Sequence, residues 1–209
     1  MQYFEKQNLA FFHMQKTGGS SFRRLLKRNF GKWKWISKKT NHEPLYIKKK
    51  IMGEELFNNI NVITIVRNPI DAVVSYYTAI YSNSLSKDGK LRPHVIEKMP
   101  YLVEVYNKPF KEFIDWYMKY LNSKIIFTYD KYLLINNELP SNLYIIKFEN
   151  LKKDADKILN KELNLNVNVN KLPKINVSNV KKPIVDNASR DKIISKYKWV
   201  FDMGFYDER

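Results

Sequence analysis

Short apolar runs separated by amphipathic stretches are the main pattern along the chain. The apolar runs predict strands, some of them buried on both faces. The predicted strands cover residues 9–14, 33–37, 62–66, 124–128 and 143–147. The first predicted helix begins at an N-cap serine, either Ser20 or Ser21, and a short one begins at Gly53. The other predicted helices cover 44–52, 69–81, 109–121, 150–163 and 189–200. Because strands alternate with helices, the sequence predicts an α/β fold with a mainly parallel central sheet flanked by helices.

Two polar segments interrupt this alternation. Residues 82–93 predict a mobile loop, and its length is typical of loops that carry function. The asparagine-rich patch at 164–170 predicts a strand-like loop. Neither segment has the composition of a linker, so we expect a single domain over 1–209.

Composition narrows the chemistry that the chain can perform. It contains no cysteine, which excludes disulfides, thiolate metal sites and a cysteine nucleophile. Its three histidines, His13, His42 and His94, lie far apart without ligand spacing, so no metal site is predicted. No apolar run reaches the length of a membrane span and no signal pattern opens the sequence. We therefore expect a cytoplasmic protein without a membrane span.

The formal net charge of +16 favours polyanionic partners such as nucleic acid, anionic glycans, phosphorylated cofactors or a membrane surface. A second explanation stays open. Lys, Asn, Ile and Tyr are all abundant here and have AT-rich codons, so genome composition can supply part of the lysine excess.

The sequence QKTGGSS at residues 15–21 lies where a strand meets a helix, the position at which open α/β sheets bind ligands. Glycines let backbone N–H groups approach an anion, and the helix N-terminus adds unpaired donors and partial positive charge. The candidate anion-binding residues are Lys16, Thr17, Gly18, Gly19, Ser20 and Ser21. The lysine precedes the glycines, so the Walker pattern is not met. An ordinary strand–turn–helix with a solvated lysine is the alternative.

A second candidate pair follows the strand predicted at 62–66. Arg67 ends that strand, where its guanidinium can form paired hydrogen bonds with a phosphate. Ser75 lies about two turns into the next helix and can add a hydroxyl donor. The alternative is that Arg67 pairs with Asp71 and Ser75 only packs.

Together, QKTGGSS and VRNPIDAVVSYY resemble the two signatures of sulfotransferases that use 3′-phosphoadenosine 5′-phosphosulfate (PAPS). The segments NHEPLYIKKKIMGEELF, IIKFENLKKDADKILNKELNL, LPKIN and FDMGFY extend the resemblance, in order, over nearly the whole chain. The chain is most similar to the carbohydrate branch that includes heparan sulfate 2-O-sulfotransferase. The resemblance implies a P-loop-like three-layer sandwich. Gln15 and Ala72 depart from the family pattern, which carries proline and often arginine there, so they bear on cofactor affinity.

The resemblance also implies roles for individual residues. The loop at 16–21 would hold the 5′-phosphosulfate of PAPS, with Lys16 stabilising the leaving phosphate. Arg67 and Ser75 would hold the 3′-phosphate, with residues 178–182 as a further candidate. His42 would be the base that takes the proton of an acceptor hydroxyl. The acceptor is expected to be a glycan or another hydroxyl-bearing molecule, possibly anionic; its identity and the oligomeric state stay open.

Two rival functions remain at this stage. A nucleotide or small-molecule kinase would share the fold and the phosphate loop, but the sequence offers no carboxylate at a strand end for magnesium. A basic nucleic-acid-binding protein would explain the charge, but no recognition motif is present. The sequence therefore favours the sulfotransferase.

Overall fold

The computed structural model describes residues 1–36, 42–80, 85–86, 90–123, 126–175 and 180–208. Within these ranges the strands form one sheet in the order β3-β1-β2-β4-β5. The strands are β1 (Gln2–Phe4), β2 (Leu9–Phe12), β3 (Lys34–Trp35), β4 (Asn61–Val66) and β5 (Leu143–Lys147). Only β1 runs against the others. The predicted α/β class with a mainly parallel sheet is confirmed.

The strand predictions differ from the structure at two places. β1 was missed because its three residues are too few to show a pattern. The strand predicted at 124–128 is wrong for its described residues, where Ile126 forms a single bridge with Leu121. The Asn122 side chain accepts hydrogen bonds from the N–H and hydroxyl of Thr128, which occupies donors that a sheet would need. Residues 37 and 124–125 of the predicted strands lie outside the described residues.

The helices follow the amphipathic pattern closely. They are α1 (Gly19–Phe30), α2 (Leu45–Met52), α3 (Glu54–Asn58), α4 (Pro69–Ala79), α5 (Pro93–Lys98), α6 (Phe110–Tyr120), α7 (Tyr129–Leu133), α8 (Leu151–Asp156), α9 (Asn187–Lys196) and α10 (Lys198–Asp202). The helix predicted over 150–163 is α8 followed by a π-helical segment, Lys157–Glu162. The helix predicted over 189–200 is divided between α9 and α10.

The two predicted loops differ in detail from the structure. The patch at 164–170 runs into a 3₁₀ turn at Val169–Lys171. In the segment 82–93, residues 82–84 and 87–89 lie outside the described part of the chain, Leu85 bridges Leu91, and Pro93 begins α5. Short α5 and α7 were not predicted, because five or six residues give too little periodicity.

The chain divides into two compact units, and the first comprises Met1–Asn68 and Tyr129–Asn176. In this unit α1 and α8 cover one face of the sheet, and α7 contacts the opposite face through the rings of Phe12 and Tyr132. The core on the first face includes Leu9, Phe11, Phe22, Leu25, Leu26, Ile63, Ile65, Leu151 and Ala155. Helices on both faces of the sheet make this unit a three-layer α/β sandwich.

The second unit comprises Pro69–Thr128 and Val177–Arg209. Its interior is aromatic: rings of α4 contact rings of α6, and the hydroxyls of Tyr117 and Tyr197 lie 2.8 Å apart. Among the described helices, none combines the length and apolarity that a bilayer crossing requires. The single domain over 1–209 and the cytoplasmic location stay predictions.

Candidate functional site

The carboxyl ends of β2 and β4, which are parallel neighbours, bring Lys16 and Arg67 together. Nη1 of Arg67 donates a hydrogen bond to the backbone oxygen of Lys16 at 3.3 Å. Lys16 adopts a left-handed backbone (φ 60°), which is unusual for a residue other than glycine. Burial, and then the charge of Arg67, lowers the pKa of Lys16 to about 8. Two cationic side chains therefore share one end of the sheet.

The backbone from Thr17 to Ser20 supplies the donors of the site. Within the described part of the chain, these four N–H groups make no hydrogen bond to protein. Thr17 is fully buried, and its hydroxyl donates to the Met14 oxygen at 3.1 Å. Its side chain therefore fixes the turn and leaves the backbone for a ligand.

The serine N-cap prediction is wrong, because α1 begins two residues earlier than a Ser20 N-cap would allow. Gly18 takes the N-cap position with φ 80°, and its carbonyl accepts from the N–H groups of Ser21 and Phe22. Ser21 is nearly buried, and its hydroxyl accepts from the N–H of Ile175 at 3.3 Å. The Ser20 hydroxyl on the first turn makes no hydrogen bond with a described residue, whereas the Ser21 hydroxyl supports the fold.

The two glycines are required by close packing. A Cβ on Gly18 would lie 2.5 Å from Cε2 of Phe148, and a Cβ on Gly19 would overlap the His13 ring. Phe148 in turn supports Arg67, whose guanidinium lies 4.4 Å from the centre of its ring. The loop, the arginine and the aromatic ring are thus packed as one cluster.

We expect Gly18→Ala to lower the free energy of unfolding by about 1–3 kcal/mol more than Gly204→Ala. Gly204 is the control, because its φ is 68° and no atom lies within 4 Å of its added Cβ. Both variants place an alanine at a positive φ, so the difference in denaturant unfolding reports on the contact with Phe148. Equal losses in the two variants would show that the ring moves aside freely.

Arg67 is held at both its backbone and its side chain. The Tyr129 hydroxyl donates to the Arg67 carbonyl at 2.9 Å and accepts from its N–H at 3.3 Å. Nε of Arg67 is buried and makes no hydrogen bond with any described residue. The alternative pairing with Asp71 is not seen: Asp71 lies 3.9 Å from the ammonium of Lys182. A buried guanidinium donor without a partner indicates a place for an anionic ligand.

His42 lies next to this cluster through contact with His13. Their ring centres are 5.1 Å apart, and Nδ1 of His42 is 3.3 Å from the His13 carbonyl oxygen. Because a carbonyl only accepts, this contact requires the proton on Nδ1 and leaves Nε2 of His42 with a lone pair. Burial lowers the pKa of His42, and the hydrogen bond to His13 opposes that shift. His42 is therefore neutral at pH 7.

His13 lies one residue beyond the end of β2 and packs against its neighbours. It stacks on Phe11 at 5.9 Å, and burial lowers its pKa to about 3. On the other side of His42, the carboxylate of Glu43 pairs with Lys48, which has no exposed surface. Glu43 therefore faces a buried cation.

The remaining candidates occupy separate positions. Ser75 is half-buried on α4 in the second unit, and its carbonyl accepts from the Thr78 hydroxyl at 3.3 Å. His94 is exposed on α5. Glu149 accepts a hydrogen bond from the N–H of Asn68 at 2.9 Å, a structural role. Of the segment 178–182, residues 178–179 lie outside the described residues.

Sequence reasoning missed three residues that shape this site, Phe148, Tyr129 and Lys48. Phe148 follows β5 just as Arg67 follows β4, and Val66 pairs with Lys147, so adjacent parallel strands bring the two together. Lys48 lies three residues after buried Leu45 on α2, a helical spacing that indicates an inward side chain. Nothing local in the sequence signals Tyr129.

The assembled site combines two cations, a row of free N–H groups and a neutral imidazole. This set can bind phosphate or sulfate groups and can accept a proton from a nearby hydroxyl. No group of three or more potential metal ligands occurs among the residues with described positions.

Comparison with models of known protein families identifies the family of this chain. A family model described as "Sulfotransferase domain" matches residues 36–164, which is more than half of the 209 residues. The matched span contains His42 and Arg67 but not Lys16, so the geometry of the phosphate-type loop is an observation separate from the match. Searches of curated proteins and of solved structures find no match. On the strength of the matched span, the chain belongs to the sulfotransferase domain family.

Proposed function

We propose that this sulfotransferase takes its sulfuryl group from PAPS and transfers it to a hydroxyl of a carbohydrate, with His42 as the base. Family membership supports sulfuryl transfer in general. The observation that carries the choice of donor is the cluster in which Arg67 contacts the Lys16 backbone beside a row of unpaired N–H groups.

The residues present fit a ligand with two separate phosphate groups. The backbone of 17–20 with the Lys16 ammonium suits a 5′-phosphosulfate, and the free Nε of Arg67 suits a 3′-phosphate. Ser75 stays the predicted second donor to the 3′-phosphate. Glycine is needed at positions 18 and 19, because a Cβ at either position would overlap a neighbouring side chain. When bound, PAPS supplies an activated sulfuryl group on a phosphate leaving group.

Lys16 supplies the positive charge that the leaving phosphate needs. At pH 7 its ammonium stays largely protonated, because its lowered pKa of about 8 is still above that pH. The partly buried setting strengthens its attraction for an anion relative to a fully solvated lysine. Arg67 lies in the same site and does not neutralise the charge of Lys16, because both side chains are cationic.

His42 suits the base role in its resting state. The Nδ1 contact with the His13 carbonyl fixes the tautomer, and burial keeps the ring neutral by lowering its pKa. Nε2 is then the atom that takes the acceptor proton. The lowered pKa also predicts that the base form persists below pH 6.5.

The charge near His42 supports an acceptor that is itself anionic. Arg23 is half-buried on the first turns of α1, and its charge is one of the smaller causes that lower the pKa values of His13 and His42. It forms no ion pair or hydrogen bond with another described residue. A carboxylate or sulfate group on the acceptor would find a cation there.

The binding of PAP, the desulfonated product of PAPS, is expected to weaken as the pH rises through about 8, when Lys16 loses its proton. Because the ligand binds the protonated lysine, its Kd should rise by up to about tenfold per pH unit above that value. The phosphates are already ionised, since their second pKa is about 6. Calorimetric titrations at pH 7, 8 and 9 measure the change.

Lys16→Arg is the control for this pH dependence, since its guanidinium stays charged throughout the range. We expect the Kd of this variant to stay nearly flat from pH 7 to pH 9. The same slope in both proteins would contradict the assignment of the titration to Lys16.

Transfer itself is tested with radiolabelled PAPS and three acceptors: heparan sulfate, uncharged dextran and a simple phenol. We expect label in heparan sulfate, less in dextran and little in the phenol. Label in the phenol alone would contradict the carbohydrate acceptor. A protein that binds PAP tightly but labels none of them would contradict a hydroxyl acceptor of these classes.

A further inference from the structure

A fully buried lysine on α2 lies close to the proposed base. The Lys48 side chain has no exposed surface, although it stands on α2 between Ile47 and Lys49. Its ammonium pairs with the carboxylate of Glu43, which is about three-quarters buried. Removing a lysine from water is unfavourable, and a buried ion pair is often no more stabilising than apolar residues in its place. A buried pair in this position therefore points to a role in the site.

The Lys48–Glu43 pair closes a short segment of chain onto α2. Glu43 directly follows His42, Pro44 fixes its own φ, and α2 begins at Leu45. The N–H of Lys48 also bonds the Pro44 carbonyl at 3.3 Å. The backbone from His42 to Pro44 is thus tied to the first turn of α2 at two points.

Among the described residues, His42 makes one side-chain hydrogen bond, from Nδ1 to the His13 carbonyl, and an edge-to-face contact with the His13 ring. Both contacts are with the same residue, so the position of the ring also depends on the backbone from which it projects. The anchor at Glu43 fixes the backbone from which the ring projects, so the two restraints together define the position of Nε2. We propose that Lys48 is a positioning residue that holds His42 in place through Glu43. This inference rests on the proposed function, in which His42 is the base.

The Lys48–Glu43 pair also affects how readily His42 accepts a proton. The groups that influence the imidazole are His13, Lys48, Arg23 and the amino group of Met1, of which the last three are cationic when protonated. An imidazolium would add a further positive charge to this cluster. Because the charge of Lys48 is one of the causes that lower the pKa of His42, its removal favours the imidazolium.

Lys48→Met is the direct test, with Lys49→Met as the matched control. Lys49 is the next residue on the same helix and pairs with Glu54 at 2.7 Å near the surface, so its replacement removes the same charge. We expect Lys48→Met to lower kcat at least tenfold while the Kd for PAP changes less than twofold. Lys49→Met should match the wild type in both. The acid limb of the pH profile of kcat/KM should move to higher pH only in Lys48→Met.

A double variant, Glu43→Gln with Lys48→Met, covers the case in which the loss of the Lys48 charge beside Glu43 prevents folding. Removing both charges should restore the unfolding temperature but leave kcat low. Wild-type kcat in a folded Lys48→Met protein, or recovery of kcat together with stability in the double variant, would overturn the positioning role.

A readout that needs no turnover comes from proton NMR of the imidazole signals. The chain has three histidines, so variants of His13 and His94 assign His42. Its pKa should rise in Lys48→Met and stay unchanged in Lys49→Met; no rise would count against the inference. If His42→Ala keeps wild-type turnover, the proposed base itself fails, which the Lys48 variants alone would not show.

Discussion

His42→Ala is expected to lower kcat by about 10²–10⁴-fold, the usual contribution of general-base assistance. The structure explains why the loss should fall on kcat. His42 contacts the His13 carbonyl rather than the loop at 16–21, so its removal leaves the free N–H groups and Lys16 intact. The Kd for PAP should therefore change by less than about threefold. Steady-state kinetics with the best acceptor, together with PAP titration, measure both quantities.

His94→Ala is the control for this variant, because His94 is exposed on α5 and has no part in the proposed mechanism. It should retain wild-type kcat. A small loss for His42→Ala, of the size seen for His94→Ala, would contradict the base assignment. A large rise in the Kd for PAP would instead show that the imidazole supports the phosphate loop.

Lys16→Ala is expected to lower kcat by about 10²–10³-fold, by analogy with the loss of one preorganised charge-stabilising donor. It should also raise the Kd for PAP, because the ammonium attracts the 5′-phosphate before reaction as well. Alanine keeps the Cβ at a position whose φ is 60°. The backbone strain is therefore unchanged, and the loss reports on the ammonium.

Lys6→Ala provides the comparison, since it removes one lysine from an exposed turn. The net charge falls equally in both variants, so any shared effect reflects long-range attraction alone. If Lys6→Ala and Lys16→Ala weaken PAP equally, the loop has no special role. Lys16→Arg should restore affinity better than turnover, because a planar guanidinium replaces a compact ammonium.

The central part of the fold could be predicted because burial on both faces leaves a clear sequence signature. The runs that became β2, β4 and β5 were recognised from consecutive apolar residues. Parallel strands have their carboxyl ends at one edge, so the pattern is consistent with Lys16 and Arg67 at the same edge, whereas their contact depends on β2 and β4 being neighbours. The segment at 124–128 shows the limit, because the side chain of Asn122 takes the donors of Thr128.

The supporting contacts of the site could not be read from local sequence. Phe148 meets Arg67 only because β4 and β5 are neighbours, which depends on strand order. Lys48 lies in the run Lys48-Lys49-Lys50, which resembles a solvated helix face, yet one of the three is fully buried. The N-cap moved from serine to Gly18 because glycine can adopt the left-handed turn that packing requires.

Thermal unfolding with PAP, and in parallel with ATP and magnesium, tests the central claim most directly. A ligand at about 100 times its Kd stabilises the folded protein by about 2.7 kcal/mol. For a chain of this size that corresponds to a rise of roughly 5–10 °C in Tm. We predict this rise with PAP and little change with ATP and magnesium. A rise only with ATP and magnesium would contradict the use of PAPS and favour a kinase.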